Sequence, residues 1–235
     1  MTTPSPADPV SPRLAVVVLA AGAGKRFRSE VPKVLHRAAG LPLVHHVLQA
    51  AGSLDEVERV LLVVGNGAEQ VSAYVRDHFP ATVFVHQTEL LGTGDAVARC
   101  RQELEGFGGT VLVLSGDSPL VTPGTLHNLA EAHRRTGSGA TVLTARVPDP
   151  TGYGRVLRDH AGEVVNVVEE KDASEEQRKV NEVSSGIWCF RPADLFDALS
   201  RIDNDNAQGE YYLPQAALVI AWDGGGLGSV STSDA

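Results

Sequence analysis

The sequence predicts an α/β fold built on a doubly wound, mostly parallel sheet. Through about the first two-thirds of the chain, short apolar runs alternate with segments of helical spacing, which is the pattern of βαβ units. The apolar runs are continuous and rich in β-branched residues. Strands that are buried on both faces of a parallel sheet have this composition.

The elements follow one another at short intervals. The first strand is predicted at Leu14–Ala20, where an apolar run ends in glycines, and a helix follows at residues 43–52. The next strand is expected at residues 59–65 and the next helix at residues 66–78. Further strands are predicted at residues 82–87, 110–117 and 140–147, and further helices at residues 93–104 and 125–135.

The rhythm changes from Tyr153 onward, where two strand-like stretches are separated by only a short helical piece. This change predicts a smaller lobe packed onto the first half of one domain, residues 13–235. The predicted organisation in chain order is a disordered, proline-rich leader at 1–12, a first half at 13–150, a smaller lobe at 151–222 and a truncated, glycine- and serine-rich tail at 223–235.

Composition excludes several classes of partner. A formal net charge of −9 argues against a general nucleic-acid or anionic-membrane surface. The longest apolar run is too short to cross a bilayer, and the first residues lack the pattern of a signal peptide, so we expect a cytoplasmic protein with no membrane partner. One segment is nevertheless basic, with a single acid, Glu30. Its basic residues are Lys25, Arg26, Arg28, Lys33, His36 and Arg37.

Glycines follow the first predicted strand in the run LAAGAGKR, residues 19–26. A Walker A loop would need glycine at Leu19, and a dinucleotide fingerprint would need glycine at Phe27, so neither pattern fits. The remaining pattern is LAAGxGxR followed by Pro32-Lys33, in which loop N–H groups and the basic side chains grip a triphosphate. The alternative is an ordinary tight turn with solvated charges. The loop residues expected to contact phosphate are Leu19, Ala20, Ala21, Gly22, Gly24 and Lys25.

Further motifs extend this pattern: QTELLGTGDA, SGDSPL, TGYGRVLRD, VEEKDASEEQR and NDNAQGEYYLPQ. With them the sequence, from Leu14 to about Ala221, resembles the uridylyltransferase (pyrophosphorylase) half of the bacterial bifunctional N-acetylglucosamine-1-phosphate uridyltransferase/glucosamine-1-phosphate acetyltransferase family. The resemblance implies a Rossmann-like nucleotidyltransferase sheet with a sugar-binding lobe. It also implies Mg²⁺-dependent transfer of a uridylyl group from UTP to a sugar-1-phosphate, with N-acetylglucosamine-1-phosphate as the expected acceptor, giving UDP-sugar and pyrophosphate. Because that family trimerises through a β-helix, this part alone is expected to be a monomer or weak dimer.

The resemblance assigns roles to individual residues. Arg26 and Lys33 match the catalytic cations on the triphosphate. Asp117, also counted as catalytic, matches the Mg²⁺ ligand and ends a strand at the edge where α/β sheets bind ligands; the alternative is a turn cap. Gln87, whose carboxamide both donates and accepts, matches a uracil contact. The other matched positions are Gly92 and Thr93 on the nucleotide side, and Gly154, Glu169 and Ser184 on the sugar side.

Several positions depart from the family pattern. Lys25 stands where Ser or Thr is usual, Leu90 replaces a polar residue, Asp95 stands where histidine is typical, and Ser184 replaces an asparagine. The sequence given also stops before the Gly-Val-Asn-Asn segment that carries the second metal ligand. These departures leave two alternatives open. One is a nucleotidylyltransferase for another phosphate, and the other is a catalytically weakened nucleotide-sugar-binding protein.

Overall fold

The computed structural model describes residues 13–22, 24 and 29–232. Within these ranges it contains eleven strands and seven α-helices. The strands are β1 (Leu14–Leu19), β2 (Arg37–Ala38), β3 (Leu41–Pro42), β4 (Val57–Val64), β5 (Val83–His86), β6 (Thr110–Ser115), β7 (Ala140–Arg146), β8 (Arg155–Arg158), β9 (Val164–Val168), β10 (Glu182–Phe190) and β11 (Leu227–Thr232). The helices are α1 (Leu43–Gly52), α2 (Ala68–His78), α3 (Thr93–Ala98), α4 (Pro123–Thr136), α5 (Glu175–Arg178), α6 (Pro192–Leu199) and α7 (Leu213–Trp222).

Nine of the strands form one mixed sheet. Its order is β11-β7-β10-β6-β1-β4-β5, and β8 and β9 extend it as a ribbon beside β10. Strand β1 lies parallel to both β4 and β6, β4 is parallel to β5, and β7 is parallel to β11. Only β10 within this order runs antiparallel to its two neighbours. The predicted α/β class with a mostly parallel central sheet is confirmed.

Strand β1 shows why the sheet is covered on both faces. Ala15 and Val17 pack into a core with residues of α3, α6 and α7, whereas Leu14, Val16 and Val18 pack into a second core with residues of α1, α2 and α4. Alternate residues of a strand point to opposite faces, so a strand between two helical layers must be apolar at every position. The unbroken run in β1 satisfies this requirement.

The structure corrects the predicted elements in several places. The helix expected at residues 93–104 ends at Ala98, and a short 3₁₀ turn follows at Gln102–Leu104. Helices α6 and α7 and strand β8 had no sequence-based prediction. Strand β10 belongs to the predicted smaller lobe, yet it lies in the main sheet between β6 and β7.

None of the described helices combines the length and the apolar composition that a membrane-spanning helix needs.

A buried histidine gives the fold a pH-dependent stability. His133 on α4 is 2% exposed, and its Nδ1 lies 2.9 Å from Thr141 Oγ1. Burial, together with Arg191 and Arg134 and against the smaller effect of Asp194, lowers the pKa of His133 to about 4. Below the ordinary histidine value near 6.5 the unfolded chain binds a proton at this residue that the folded chain does not. Stability therefore falls as the pH drops through this window.

We expect acidification from pH 7.5 to 5 to lower the free energy of unfolding through His133 by on the order of 2 kcal/mol. With the free energy of unfolding measured by urea at each pH, its slope against pH should be shallower in a His133→Asn variant than in the wild type, by about 2 kcal/mol over this whole interval. His127 lies on the same helix and is exposed, so His127→Asn is the matched control and should keep the wild-type slope. Equal slopes in all three proteins would contradict the assignment.

Candidate active site

A cleft of about 630 Å³ opens where the chain leaves the carboxyl ends of β1, β5 and β6. Ligands of open α/β sheets bind at this edge. All ten described residues that were predicted to bind nucleotide or metal line it: Leu19, Ala20, Ala21, Gly22, Gly24, Lys33, Gln87, Gly92, Thr93 and Asp117. Lys25 and Arg26 lie outside the described residues.

The loop after β1 lies against the turn that carries Lys33. Gly24 has a φ of +56°, and a Cβ atom there would lie 2.8 Å from Lys33 Cβ. Glycine is required for both the left-handed backbone and the close approach. Pro32 precedes the 3₁₀ turn Lys33–Leu35, and its carbonyl accepts from Leu35 N at 2.8 Å. Lys33 is therefore held close to the loop that precedes it by nine residues in the sequence.

Lys33 and Asp117 form an ion pair in the cleft, and the Ser115 hydroxyl donates to the other carboxylate oxygen of Asp117. Burial alone would raise the pKa of Asp117, but the Lys33 ammonium and the Ser115 hydroxyl outweigh it, and the pKa lies below its ordinary value. Asp117 is consequently a carboxylate at neutral pH. The cleft thus presents a cation and an anion side by side at the end of β6.

The donor set fits one kind of metal site. Among the described residues there is no cluster of three or more His, Cys, Asp or Glu side chains that could enclose a metal ion. Mg²⁺ does not need such an enclosure, because it commonly takes one or two carboxylates and completes its shell with phosphates and water. The carboxylate of Asp117 is compatible with Mg²⁺ that arrives with a phosphate ligand.

Another part of the cleft is built around Gln87. This side chain follows β5, is 4% exposed, and donates from Nε2 to Gly92 O at 3.0 Å and to Asp95 Oδ2 at 2.8 Å. Gly92 has a φ of +108°, and a Cβ atom there would lie 2.6 Å from Tyr211 O. Thr93 Oγ1 accepts from Leu213 N at 3.0 Å. The start of α3 is thereby fixed against the segment that leads into α7.

The three residues predicted to bind sugar form a group beside the cleft and do not line it. Ser184 N donates to Gly154 O at 2.9 Å, and a Cβ atom at Gly154 would lie 3.5 Å from Glu169 Oε1. Burial, followed by the charges of Asp172 and Glu210, raises the pKa of Glu169. Since Glu210 lines the cleft, its charge links Glu169 electrostatically to the cleft.

Sequence reasoning left several cleft residues without a role. Ser115, Lys171, Gln208 and Glu210 all line the cleft. Each belongs to one of the motifs that carried the resemblance, so the signal was present at the level of the motif. Asp172 was also given no role by the sequence. It joins its own motif, VEEKDASEEQR, to NDNAQGEYYLPQ, because its oxygens accept from Ala207 N at 2.8 Å and from the Tyr212 hydroxyl at 3.1 Å.

Solved structures of the same fold bind nucleotide sugars or sugars. A UDP-glucose pyrophosphorylase complexed with UDP-glucose has a TM-score of 0.74 and 18% identity, and the match covers 90% of this chain and 88% of that one. A Bacillus anthracis protein described as a glucose-1-phosphate thymidylyltransferase, solved with sucrose, has a TM-score of 0.77 and 17% identity, covering 94% and 87%. These likenesses show the fold, which is the Rossmann-like α/β fold of both structures.

The family follows from the sequence comparison. Residues 16–211 match the MobA-like NTP transferase domain, and the chain belongs to that family. It is 42% identical over 218 residues to the bifunctional protein GlmU of Enterococcus faecalis, covering 93% of this chain and 47% of the relative. It is 49% identical over 203 residues to GlmU of Geobacter metallireducens, covering 85% and 42%. The resemblance inferred from the motifs is confirmed, and the chain spans somewhat less than half the length of these relatives.

Proposed function

We propose that this nucleotidyltransferase transfers a uridylyl group from UTP to a sugar-1-phosphate, N-acetylglucosamine-1-phosphate being the preferred acceptor. The observation that carries the proposal is the gathering of ten predicted phosphate-, base- and metal-binding residues along one cleft. The motif resemblance and the GlmU relatives favour uracil and the acetamido sugar over other bases and acceptors.

The proposed reaction is an in-line displacement. An oxygen of the sugar phosphate attacks the α-phosphorus of UTP, the bond from that phosphorus to the oxygen bridging to the β-phosphorus breaks, and pyrophosphate leaves. The nucleophile is already ionised, so no general base is required. Both reactants are anions, and catalysis consists mainly of positioning and neutralisation of charge. Lys33 supplies a cation for this purpose at the phosphate end of the cleft.

Asp117 is the residue proposed to hold Mg²⁺, which would supply positive charge at the reacting phosphates. Its lowered pKa keeps it ionised and able to bind a hard cation. Lys33 forms an ion pair with this partly buried carboxylate. With Mg²⁺ held at Asp117, the Lys33 ammonium would be available to the anionic substrate.

The acceptor sugar is proposed to lie toward Gly154, Glu169 and Ser184. The backbone at Gly154 leaves room beside the Glu169 carboxyl group, which can accept hydrogen bonds from sugar hydroxyls. Ser184 is buried, and its Oγ accepts from Gly186 N at 3.2 Å. Since Ser184 stands where the family has asparagine, the acetamido contact is expected to be weaker than in that family.

A substrate panel tests the proposal. We expect Mg²⁺-dependent pyrophosphate release with UTP, with a kcat/KM at least about tenfold above those for CTP, ATP and GTP, because an unpaired buried polar contact costs on the order of 1–3 kcal/mol. Among acceptors, N-acetylglucosamine-1-phosphate should give the highest kcat/KM. A better acceptor of another kind would favour the divergent-enzyme alternative. Binding of UDP-sugar without turnover would favour the binding-protein alternative.

A further inference from the structure

Asp95 contacts Gln87, the proposed base-reading residue, without itself lining the cleft. It lies on the first turn of α3, is 14% exposed, and is not among the described residues that line the cleft. Its Oδ2 accepts from Gln87 Nε2 at 2.8 Å. Its Oδ1 accepts from Arg99, at 3.2 Å from Nε and 3.1 Å from Nη2. Asp95 therefore joins an exposed cation on one side to a buried carboxamide on the other.

These contacts determine which way the Gln87 carboxamide points. A carboxamide has two N–H donors on nitrogen and an acceptor oxygen. The partners of its Nε2 are Gly92 O and the carboxylate of Asp95, and both of these groups only accept. The NH₂ end must therefore face them, and both of its N–H groups are used. No donor among residues 13–22, 24 and 29–232 is hydrogen-bonded to Gln87 Oε1, so this oxygen is the atom available to a ligand.

We propose that Asp95 is a specificity-determining residue, because it holds Gln87 so that only an acceptor faces the base. An acceptor pairs with a base that carries a ring N–H, as uracil does at N3. Cytosine has an unprotonated, accepting nitrogen at the same position, which an amide oxygen repels. A Gln87 side chain free to turn over could instead offer its NH₂ group to cytosine. The inference rests on the proposed function, which places the nucleotide base at Gln87.

Equilibrium binding tests the inference without depending on turnover. The affinities of UTP and CTP would be measured by titration calorimetry for the full chain and for Asp95→Asn, which keeps the size of the side chain but can donate as well as accept. We expect the ratio of UTP to CTP affinity to fall fivefold or more in this variant. Asp95→Ala, which removes the acceptor altogether, serves as a second variant if Asp95→Asn fails to fold. It should lower the ratio in the same way.

Arg99→Ala is the matched control, because it removes the outer partner of Asp95 and leaves the contact to Gln87. Its ratio should stay within twofold of the wild type; a fivefold fall there would show general disturbance of α3 and overturn the inference. An equal loss of affinity for both nucleotides in Asp95→Asn, with the ratio kept within fivefold, would also overturn it, since a purely structural role has that result.

Gln87→Ala separates the failure of this inference from the failure of the proposed function. If Gln87 reads the base, this variant should lower the ratio of UTP to CTP affinity at least as much as Asp95→Asn. If Gln87→Ala lowers the ratio and Asp95→Asn does not, the role of Asp95 is wrong and the proposed base contact stands. An unchanged ratio in Gln87→Ala would mean that the base lies elsewhere, and both would fail.

Discussion

Replacing Asp117 with asparagine should reduce kcat by about 100-fold or more, the scale seen when a group that stabilises transition-state charge is removed. The variant keeps the shape of the side chain and can still accept from the Ser115 hydroxyl. It loses the negative charge that pairs with Lys33 and that we propose holds Mg²⁺. The measurement is pyrophosphate release at saturating UTP and acceptor, with Mg²⁺ varied.

The Mg²⁺ dependence makes this experiment specific. If Asp117 holds the ion, Asp117→Asn should need a higher Mg²⁺ concentration for half-maximal rate, and thermal unfolding should change little. Asp77 is an exposed aspartate on α2, and Asp77→Asn should match the wild type in both measurements. A kcat for Asp117→Asn within threefold of the wild type would refute the proposed role.

The part of the site best predicted from the sequence is the part encoded by short motifs. Gly22, Gly24 and Lys33 are separated by at most eleven residues, and the glycine loop after a buried strand fixes their surroundings locally. Gln87 and Asp117 are distant in sequence, but each follows a strand of the parallel sheet. Because these strands end at one edge, their following residues meet there. The topology therefore brings together residues that the motifs identify one at a time.

What the sequence did not reveal depends on contacts between distant segments. Helix α7 buries one face, formed by Leu213, Ala216, Ala217 and Ile220. Its less buried positions are mostly apolar as well, Trp222 among them, so no contrast between apolar and polar positions marks the buried face in the sequence. Glu210 reaches the cleft because the segment before α7 is bonded to α3, with Gly94 N donating to Tyr211 O at 2.7 Å. The contact of Asp95 with Gln87 also depends on the folded backbone. The two residues are close in sequence, but the chain must turn between them, at Gly92 with its φ of +108°, for their side chains to meet.

Replacing Lys33 with alanine should lower kcat/KM by about 100-fold, because the cation is lost from the transferring phosphates. Lys179→Ala is the matched control: Lys179 is exposed and pairs with Glu176 on the surface, and its removal should leave kcat/KM unchanged. A Lys33→Ala variant within threefold of the wild type would contradict the role assigned to the lysine.

The ion pair with Asp117 predicts a second effect of the same change. Lys33 helps to hold the pKa of Asp117 below its ordinary value against burial, so removing the ammonium must raise that pKa. The acidic limb of the pH–kcat/KM profile should therefore move to higher pH in Lys33→Ala, and raising the pH should restore part of the lost activity.

Asp117→Asn removes the titrating group, so the double variant Lys33→Ala/Asp117→Asn should lose this pH-dependent recovery. The fold-reduction of kcat/KM in the double variant should also be smaller than the product of the two single-variant reductions, because the two residues act at one place. Independent, multiplicative losses with no shift in the profile would show that the two side chains act separately.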